Sequence, residues 1–263
     1  MFVESLVPVS VEPEVKLFVA RSDGPAERTL LVIHGGPDWD HTYLRRPLDE
    51  LAGTCRVVLP DLRGCGRSTS GLADDQYTPD AVVSDLVALL DSLEVDDADV
   101  LGFSYGGLIA QRLAITAPRR VRRLIVASSS VLPVSRKEEK RWDGDTRSMA
   151  VAGAATDVWR PQARAEYLQR LEGVRFSEEW LRPLRKGILP SPRVDDAPRR
   201  LAALRIPLLL LHGRQDTTFP AELVDQALRL IPAARAVVLD EAGHMAHVDQ
   251  PKRWLDAVVE HLT

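Results

Sequence analysis

The chain has 263 residues, of which 45% are hydrophobic and 27% are charged. This composition is typical of a folded globular protein with a large core, and it excludes disordered, collagen-like and disulfide-scaffold classes. With 34 basic and 38 acidic residues the net charge is −4, which gives no basic surplus for binding nucleic acid. We therefore expect no nucleic-acid partner.

Three features of the sequence predict a cytoplasmic protein. Two cysteines, Cys55 and Cys65, are too few for a disulfide framework and fit a reducing compartment. Residues 1–10 lack the basic and apolar segments of a secretion signal. No apolar run approaches the roughly 18 residues needed to cross a bilayer, so we expect no membrane partner. None of these patterns indicates an oligomeric state.

The first half of the chain predicts strands that alternate with helices. Residues 7–10 and 15–20 are rich in β-formers and predict an antiparallel ribbon. Short apolar runs predict buried strands at 30–33, 56–59, 99–101 and 124–127. Helical spacing of apolar residues predicts helices at 43–51, 79–93 and 105–117. Solidly apolar strands that alternate with helices indicate a parallel sheet covered on both faces, hence an α/β fold.

The second half resumes this alternation after an interruption. Residues 206–211, 221–231, 236–239 and 252–262 predict strand, helix, strand and helix. Residues 133–200 contain almost no β-rich run, and we interpret them as an inserted helical cap. The alternative is a set of ordinary crossover helices, although one crossover usually needs a single helix. The predicted domains are a core of residues 1–132 and 201–263 and a cap of residues 133–200.

A glycine-rich motif at residues 102–107 supplies a candidate nucleophile. It reads Gly-Phe-Ser-Tyr-Gly-Gly, matches G-x-S-x-G, and stands between a predicted strand and a predicted helix. Glycines leave room beside a serine in a tight strand-to-helix turn, and the helix N-terminus favours negative charge there. The motif predicts Ser104 as an exposed nucleophile. The alternative is a turn in which this serine only caps the helix.

A serine hydroxyl needs a base to take its proton and a carboxylate to orient that base. Asp216 follows the strand predicted at 206–211, and His244 follows the strand predicted at 236–239. Both residues therefore fall at the carboxyl edge of the sheet, where Ser104 is also expected. We predict that Ser104, His244 and Asp216 form a catalytic triad.

Four other histidines fit the role of base less well. His247 would need a longer loop, and His212, at the end of an apolar strand, is expected to be packed and hydrogen-bonded. His261 is expected to be solvated, and His41 is a possible pocket residue. The other acids near His244 lie on its own loop or on a helix, which favours Asp216.

Two backbone N–H groups are predicted to form the oxyanion hole, which stabilises charge developing on the substrate oxygen. One belongs to Tyr105, which follows the nucleophile. The other belongs to Gly36 in the loop after the strand at 30–33, because Pro37 has no N–H and glycine lets the substrate approach the backbone. His34 in the same loop is interpreted as a structural hydrogen-bonding residue.

A second glycine-punctuated loop at residues 61–68 is interpreted as structural. It lacks the G-x-x-x-x-G-K-[ST] spacing of a nucleotide-binding loop, so Asp61 and Arg63 are predicted to act as polar braces and Cys65 as a packed small residue. No H-E-x-x-H, C-x-x-C or clustered His/Cys set occurs in the sequence. We expect no metal and no cofactor.

Taken together, these motifs resemble the α/β-hydrolase superfamily over essentially the whole chain. The residues that carry the resemblance are 34–37 (His-Gly-Gly-Pro), 61–68, 102–107, Asp216 and 243–244, in the order Ser…Asp…His typical of that superfamily. The resemblance implies an eight-stranded, mostly parallel sheet with a helical cap inserted after the sixth strand. It also argues against epoxide hydrolase and haloalkane dehalogenase chemistry, for which it implies an aspartate nucleophile.

The His-Gly-Gly-Pro stretch is similar to the proline iminopeptidase branch, with two departures. That branch usually has glycine after the proline, where this chain has Asp38, and tryptophan after the nucleophile, where this chain has Tyr105. The resemblance also implies acidic cap residues that hold a substrate amine. Candidates for that role are Asp143, Asp145, Glu178 and Glu179.

The sequence predicts a serine hydrolase that cleaves a small-molecule ester, thioester or amide through an acyl-enzyme. Alternatives are an acyltransferase that passes the acyl group to an alcohol, amine or carrier thiol, an iminopeptidase-like aminopeptidase, and a ligand-binding receptor with vestigial catalysis. The predicted substrate-pocket residues are Trp39, Trp142, Trp159, Phe219 and Met245. Met149, Tyr167 and Trp180 are further candidates, although packing within the cap is the better explanation for each of them taken alone.

Overall fold

The computed structural model describes residues 1–134 and 144–263, and its centre is one eight-stranded sheet. The strands are β1 (Phe2–Val11), β2 (Glu14–Ser22), β3 (Thr29–Ile33), β4 (Arg56–Pro60), β5 (Ala98–Phe103), β6 (Val121–Ala127), β7 (Leu208–Gly213) and β8 (Arg235–Leu239). Their order across the sheet is β1-β2-β4-β3-β5-β6-β7-β8. Only β2 runs against its neighbours, since it pairs antiparallel with β1 and β4 while all other pairs are parallel. The predicted mostly parallel sheet is confirmed.

The helices follow the strands in the predicted alternation. They are α1 (Arg45–Leu48), α2 (Pro79–Ser92), α3 (Tyr105–Thr116), α4 (Thr146–Asp157), α5 (Pro161–Gly173), α6 (Leu181–Arg185), α7 (Ala197–Leu204), α8 (Glu222–Leu230), α9 (Ala246–Asp249) and α10 (Pro251–Leu262). In α2, the Thr78 hydroxyl accepts the N–H of Ala81 at 3.1 Å, and Pro79 occupies the first turn, where its missing N–H costs nothing.

The helix predicted at 43–51 is broken into three short turns. Thr42–Leu44 and Asp49–Gly53 are 3₁₀ turns that flank α1. Pro47 explains the break, because the residue before a proline is pushed out of the helical region, and Arg46 has φ −96° and ψ 132°. A helical spacing of apolar residues therefore overstated the length of the helix here.

Two hydrophobic cores cover the two faces of the sheet. Alternate residues of β3 enter opposite cores, with Leu31 and Ile33 on one side and Leu30 and Val32 on the other. The first core is completed by α2, α3, α7 and α8, and the second by α1, α5, α9 and α10. The prediction of helices on both faces is confirmed.

Four helices, α4 to α7, and no strand lie in the described part of the connection between β6 and β7. This connection begins after Ala127 and ends before Leu208. The division of the chain into a core and a cap of residues 133–200 stays a prediction. We call residues 144–204 the helical segment.

Three buried carboxylates from outside the helical segment bind its backbone. Asp249 accepts the N–H of Trp159 at 2.9 Å and of Arg160 at 2.8 Å. Asp40 accepts the N–H of Arg175 at 3.0 Å. Asp38 accepts the backbone N–H groups of residues 180 and 181 at 2.9 and 2.7 Å, and the hydroxyl of residue 177 at 2.8 Å. Charge-assisted bonds of this kind are stronger than neutral ones, so they fix the segment firmly.

The loop at residues 61–68 is braced as predicted. Arg63 donates two hydrogen bonds of 2.7 Å to the buried Asp85 carboxylate. Asp61 accepts from His41 Nδ1 at 2.6 Å and from the N–H of Arg67 at 3.0 Å. Cys65 is buried and free, as is Cys55.

One minor expectation is wrong. His261 is buried rather than solvated, because on α10 it shares a face with Trp254 and Val258, at i+7 and i+3 spacing. Within residues 1–134 and 144–263, no helix has both the length and the apolar character that a bilayer span requires.

Candidate active site

Ser104 lies on a strained turn at the carboxyl end of β5. Its backbone has φ 53° and ψ −118°, a conformation that a residue with a side chain rarely adopts, and α3 begins at the next residue. Glycines make this turn possible. A Cβ on Gly102 would lie 2.3 Å from the carbonyl oxygen of Gly106, and a Cβ on Gly106 would lie 2.1 Å from that of Ile33. The turn therefore packs backbone against backbone and holds the serine at the sheet edge.

The structure brings Ser104, His244 and Asp216 together in one hydrogen-bonded chain. His244 Nε2 is 3.1 Å from Ser104 Oγ, and His244 Nδ1 is 2.9 Å from Asp216 Oδ2. The three residues follow the carboxyl ends of β5, β8 and β7. This geometry is what general-base activation of a serine requires.

Asp216 is held as an acceptor for the imidazole. Its Oδ1 accepts the N–H groups of Thr218 and Phe219 at 2.8 and 2.9 Å, which leaves Oδ2 for His244. Burial alone raises the pKa of Asp216, but the nearby His244 and His212 and the N–H of Phe219 outweigh it, so this pKa lies below its ordinary value. The carboxylate is therefore ionised at neutral pH.

His212 has the structural role expected of it. Its Nε2 donates to the carbonyl oxygen of Phe219 at 2.5 Å, and desolvation is the main reason why its pKa lies below 6.5. A neutral imidazole here supports the turn that carries Asp216.

Burial and charge act in opposite directions on His244. Burial lowers its pKa, whereas the charge and hydrogen bond of Asp216 raise it and Asp157 adds to that effect, so the pKa lies above its ordinary value of 6.5. The ring is fixed from two sides, with the Phe103 ring centre at 5.4 Å and the Phe219 ring stacked at 6.0 Å.

This raised pKa predicts the pH dependence of the reaction. A base must be neutral to accept a proton, so we expect kcat/KM to fall with decreasing pH around a midpoint above about 6.5. Asp216→Asn removes the main raising influence and should move that midpoint to lower pH, besides lowering the rate. The profile is measured with a neutral ester from pH 5 to 9. A wild-type midpoint below pH 6 would contradict the assignment of His244 as the base.

The loop after β3 lies directly against the serine. A Cβ on Gly35 would be 3.0 Å from the Cβ of Ser104, and the N–H of Gly35 donates to the Tyr43 hydroxyl at 2.8 Å. Gly36 has φ 112°, which favours glycine, and lines the cavity beside Ser104. Tyr105 is the first residue of α3, where backbone N–H groups have no acceptor inside the helix. Gly36 therefore shares a cavity with Ser104, and Tyr105 follows Ser104 directly, while the role of their N–H groups as an oxyanion hole stays a prediction.

A cavity of about 190 Å³ opens onto the serine and the histidine. Of the predicted pocket residues, Trp39 and Met245 line this cavity. Phe219 stacks behind His244 instead of lining the cavity, and its neighbour Thr218 takes the lining position.

The prediction that Trp159 lines the pocket is wrong. The residue is 53% exposed and is not part of the cavity wall, and its backbone N–H donates to the Asp249 carboxylate. Trp142 lies outside the described residues. Tyr167 is buried, and so is Trp180, whose ring packs against Tyr77 and Tyr105 outside the helical segment. Neither of them lines this cavity, and neither does Met149.

Four residues of the cavity wall were not predicted from the sequence: Tyr43, Phe103, Asp157 and Thr218. Phe103 directly precedes Ser104 and Thr218 lies two residues after Asp216, so their closeness to predicted catalytic positions was a usable signal. Tyr43 and Asp157 stand in no motif, and only the fold brings them to the serine.

The remaining sequence candidates have structural partners. His34 Nε2 accepts the N–H of Leu62 at 3.0 Å, in line with its predicted structural role. His41 is fully buried against Asp61 and does not line the cavity. His247 is fully buried between aromatic rings, with its pKa held well below 6.5 chiefly by burial.

The predicted acidic cap residues also have structural partners. Asp145 caps α4 by accepting the N–H of Ser148, and Glu178 accepts the N–H of Thr146 at 2.7 Å. Glu179 accepts the N–H of Gly71 at 2.9 Å and bonds to Tyr77. Asp143 lies outside the described residues. The three described acids are therefore occupied within the fold.

A strand-turn-helix serine, a histidine and a carboxylate at one edge of a parallel sheet are the features of a known family. The family model for the alpha/beta hydrolase fold matches residues 28–251. The chain belongs to the α/β-hydrolase family. The family membership suggested by the sequence motifs is thereby confirmed.

Several α/β-hydrolases are similar over nearly the whole chain. A 2-hydroxymuconate semialdehyde hydrolase from Pseudomonas sp. (strain CF600) is 33% identical over 256 residues, covering 91% of this chain and 88% of the relative. A proline iminopeptidase-related protein from Thermus thermophilus superposes with a TM-score of 0.81 and 27% identity, covering 100% of this chain and 97% of that one. An esterase from Thermogutta terrifontis gives a TM-score of 0.76 and 25% identity, covering 100% and 98%.

Asp38 marks where this α/β-hydrolase departs from the proline iminopeptidase branch, and its conformation explains how it replaces glycine. Its φ is 71°, in the region that favours glycine. The strain is offset by the hydrogen bonds that its carboxylate accepts from Ser177, Trp180 and Leu181. Burial nonetheless makes the pKa of Asp38 higher than its ordinary value, since desolvation outweighs these bonds.

Proposed function

We propose that this α/β-hydrolase is a serine hydrolase that cleaves an ester, thioester or amide with a small acyl group. One observation carries the proposal: the hydrogen-bonded chain from Ser104 through His244 to Asp216. The cavity of about 190 Å³ supports a small acyl group, because pockets for drug-sized ligands are usually about 300 Å³ or larger.

The geometry supports the following acylation step. Ser104 Oγ attacks the substrate carbonyl carbon while His244 Nε2 takes the hydroxyl proton, and Asp216 holds the opposite ring N–H. The N–H groups of Gly36 and Tyr105 bind the oxyanion of the tetrahedral intermediate. His244 then gives its proton to the leaving alcohol, thiol or amine, whose bond to the carbonyl carbon breaks. Ser104 is left as an ester of the acyl group.

Deacylation repeats these steps with water in place of Ser104. His244 takes a proton from water, the hydroxide attacks the acyl-enzyme, and the proton returns to Ser104 Oγ as the acid departs. If an alcohol, amine or carrier thiol replaces water, the same residues perform acyl transfer. Adding such an acceptor and measuring the ratio of transfer product to free acid distinguishes the two reactions.

The proposal is tested with a fluorophosphonate probe, which forms a stable adduct with activated serines. We expect the adduct on Ser104 alone, located by mass spectrometry of peptides, and none on a folded Ser104→Ala variant. Labelling of another serine, or no labelling of folded wild-type protein, would contradict the proposal. Absence of labelling would favour the receptor with vestigial catalysis.

A further inference from the structure

Tyr43 places a phenol hydroxyl beside the candidate nucleophile. The residue is only 1% exposed, and it lines the same cavity as Ser104. A Cβ on Gly35 would lie 2.9 Å from the Tyr43 hydroxyl oxygen and 3.0 Å from the Cβ of Ser104. The hydroxyl end of the Tyr43 side chain therefore faces the serine across a glycine, which has no side chain to separate them.

The hydroxyl of Tyr43 accepts one hydrogen bond and has a proton left to donate. The N–H of Gly35 donates to the hydroxyl oxygen at 2.8 Å. A backbone N–H can only donate, so the hydroxyl proton takes no part in this bond. Across residues 1–134 and 144–263, no residue accepts that proton. A buried donor without an acceptor costs free energy, and an oxygen atom of a molecule bound in the cavity would supply the acceptor.

Aromatic packing holds the ring of Tyr43 in this position. The ring of Trp39 lies edge-on with its centre at 5.1 Å, that of Phe103 lies edge-on at 5.9 Å, and that of His247 lies at 6.0 Å. Trp39 and Phe103 also belong to the cavity wall. A donor that is already fixed needs no reorganisation when charge develops next to it, which is the property that makes an oxyanion hole effective.

Tyr43 keeps its proton under the conditions in which His244 can act as a base. Burial raises the pKa of the phenol well above its ordinary value of 10.0, and the smaller lowering effect of the Gly35 N–H does not cancel it. The hydroxyl is therefore neutral. A neutral phenol attracts a developing oxyanion through its O–H, whereas a phenolate would repel it.

The hydroxyl also lies next to the loop that is predicted to bind the oxyanion. Gly35, which donates to Tyr43, directly precedes Gly36, which supplies one of the predicted oxyanion N–H groups. When Ser104 Oγ attacks a carbonyl carbon, the substrate oxygen is three bonds away from the Cβ of Ser104. The gap between that Cβ and the Tyr43 hydroxyl accommodates this span, so the substrate oxygen comes within reach of the hydroxyl.

We propose that the Tyr43 hydroxyl is a third donor to the oxyanion that forms when Ser104 attacks the substrate. The inference rests on the proposed function, because it needs the tetrahedral intermediate of acyl transfer. The hydroxyl donates to the substrate oxygen beside the N–H groups of Gly36 and Tyr105, and its proton stays on the phenol. The oxygen carries more negative charge in the intermediate than in the bound substrate, so this bond is stronger in the intermediate.

Tyr43→Phe removes the hydroxyl and keeps the ring. With methyl butanoate as substrate, we expect kcat to fall roughly a hundredfold, the usual effect of losing one oxyanion donor, while KM stays within about twofold. Labelling of Ser104 by the fluorophosphonate probe should slow as well, because charge also develops on the phosphoryl oxygen. Tyr167→Phe is the matched control. Tyr167 is buried, its hydroxyl bonds to none of the described residues and it does not line the cavity, so both rates should be unchanged.

A loss of kcat has a second possible cause, because Tyr43→Phe also removes the acceptor of the Gly35 N–H and leaves the loop that carries Gly36 less firmly held. A crystal structure of the wild-type protein labelled on Ser104 separates the two causes. The phosphoryl oxygen of the adduct stands for the oxyanion, and we expect it about 2.5–3.0 Å from the Tyr43 hydroxyl oxygen. A separation above about 3.5 Å would overturn the proposal, since the hydroxyl would then act only through the loop.

The outcomes separate this proposal from the proposed function. If the wild-type protein is labelled and hydrolyses the ester, but Tyr43→Phe retains kcat within about twofold, the role of Tyr43 alone is overturned. If Ser104 is labelled but methyl butanoate is not hydrolysed, the labelling rates of the wild type and Tyr43→Phe decide in the same way. If the folded wild-type protein is neither labelled nor active, both proposals are overturned.

Discussion

Replacing Ser104 or His244 with alanine is expected to lower kcat for ester hydrolysis by roughly a thousandfold or more. The double variant should lose no more than either single one, because the hydroxyl and the imidazole act as one unit through their 3.1 Å contact. Without the imidazole the hydroxyl keeps its proton, and without the hydroxyl the base has nothing to activate but water. The measurement is steady-state hydrolysis of methyl butanoate by the three variants.

Ser84→Ala is the control for this experiment. Ser84 is an exposed residue of α2, and its hydroxyl donates only to the carbonyl oxygen of Asp80 at 3.0 Å. Its replacement should leave kcat unchanged. Additive losses in the Ser104 and His244 variants would show that the two groups act independently, which would contradict the proposed mechanism.

Gly106→Ala is expected to reduce both stability and activity strongly. The new Cβ would lie 2.1 Å from the carbonyl oxygen of Ile33 and 2.4 Å from that of His34. Backbone atoms cannot rotate away, so α3 must move away from β3, at a cost of about 1–3 kcal/mol in the free energy of unfolding. The movement also separates Ser104 from the loop that carries Gly36, and kcat/KM should fall roughly a hundredfold.

Gly173→Ala provides the matched control. This glycine ends α5, and a Cβ built on it meets no atom within 4 Å. Its substitution should change the free energy of unfolding by less than about 1 kcal/mol and leave kcat/KM unchanged. Urea denaturation and methyl butanoate hydrolysis measure the two quantities. A stable, active Gly106→Ala variant would show that the serine turn tolerates displacement from β3.

The fold was predictable because a run or spacing of apolar residues within a short stretch of sequence indicates most of its strands and helices. Runs such as residues 30–33 are apolar throughout, since a strand covered on both faces needs no polar residue. The exceptions have local causes as well. Pro47 breaks the helix that was predicted at 43–51. His261 lies seven residues after Trp254 and therefore falls on the buried face of α10.

The hydrogen-bonded chain at the site was also predictable, whereas most of the cavity wall was not. Ser104, Asp216 and His244 each follow a recognisable strand, and parallel strands bring such positions to one edge. Trp159 and Asp157 stand two residues apart at the end of α4, yet one is exposed and the other faces the cavity. The backbone N–H of Trp159 donates to Asp249 and the carbonyl oxygen of Asp157 accepts from Met245, so the segment is held by residues that are distant in sequence and leave no local signature.

The three carboxylates that hold the helical segment have an evolutionary consequence. Asp38, Asp40 and Asp249 bind the segment mostly by accepting hydrogen bonds from backbone N–H groups. Every amino acid except proline supplies such a group. Mutations in the segment can therefore change side chains that face the cavity without detaching the segment from the sheet. Proteins that descend from one ancestral chain can therefore change their substrate specificity through such mutations. They keep the three carboxylates that hold the segment and the residues that activate the serine.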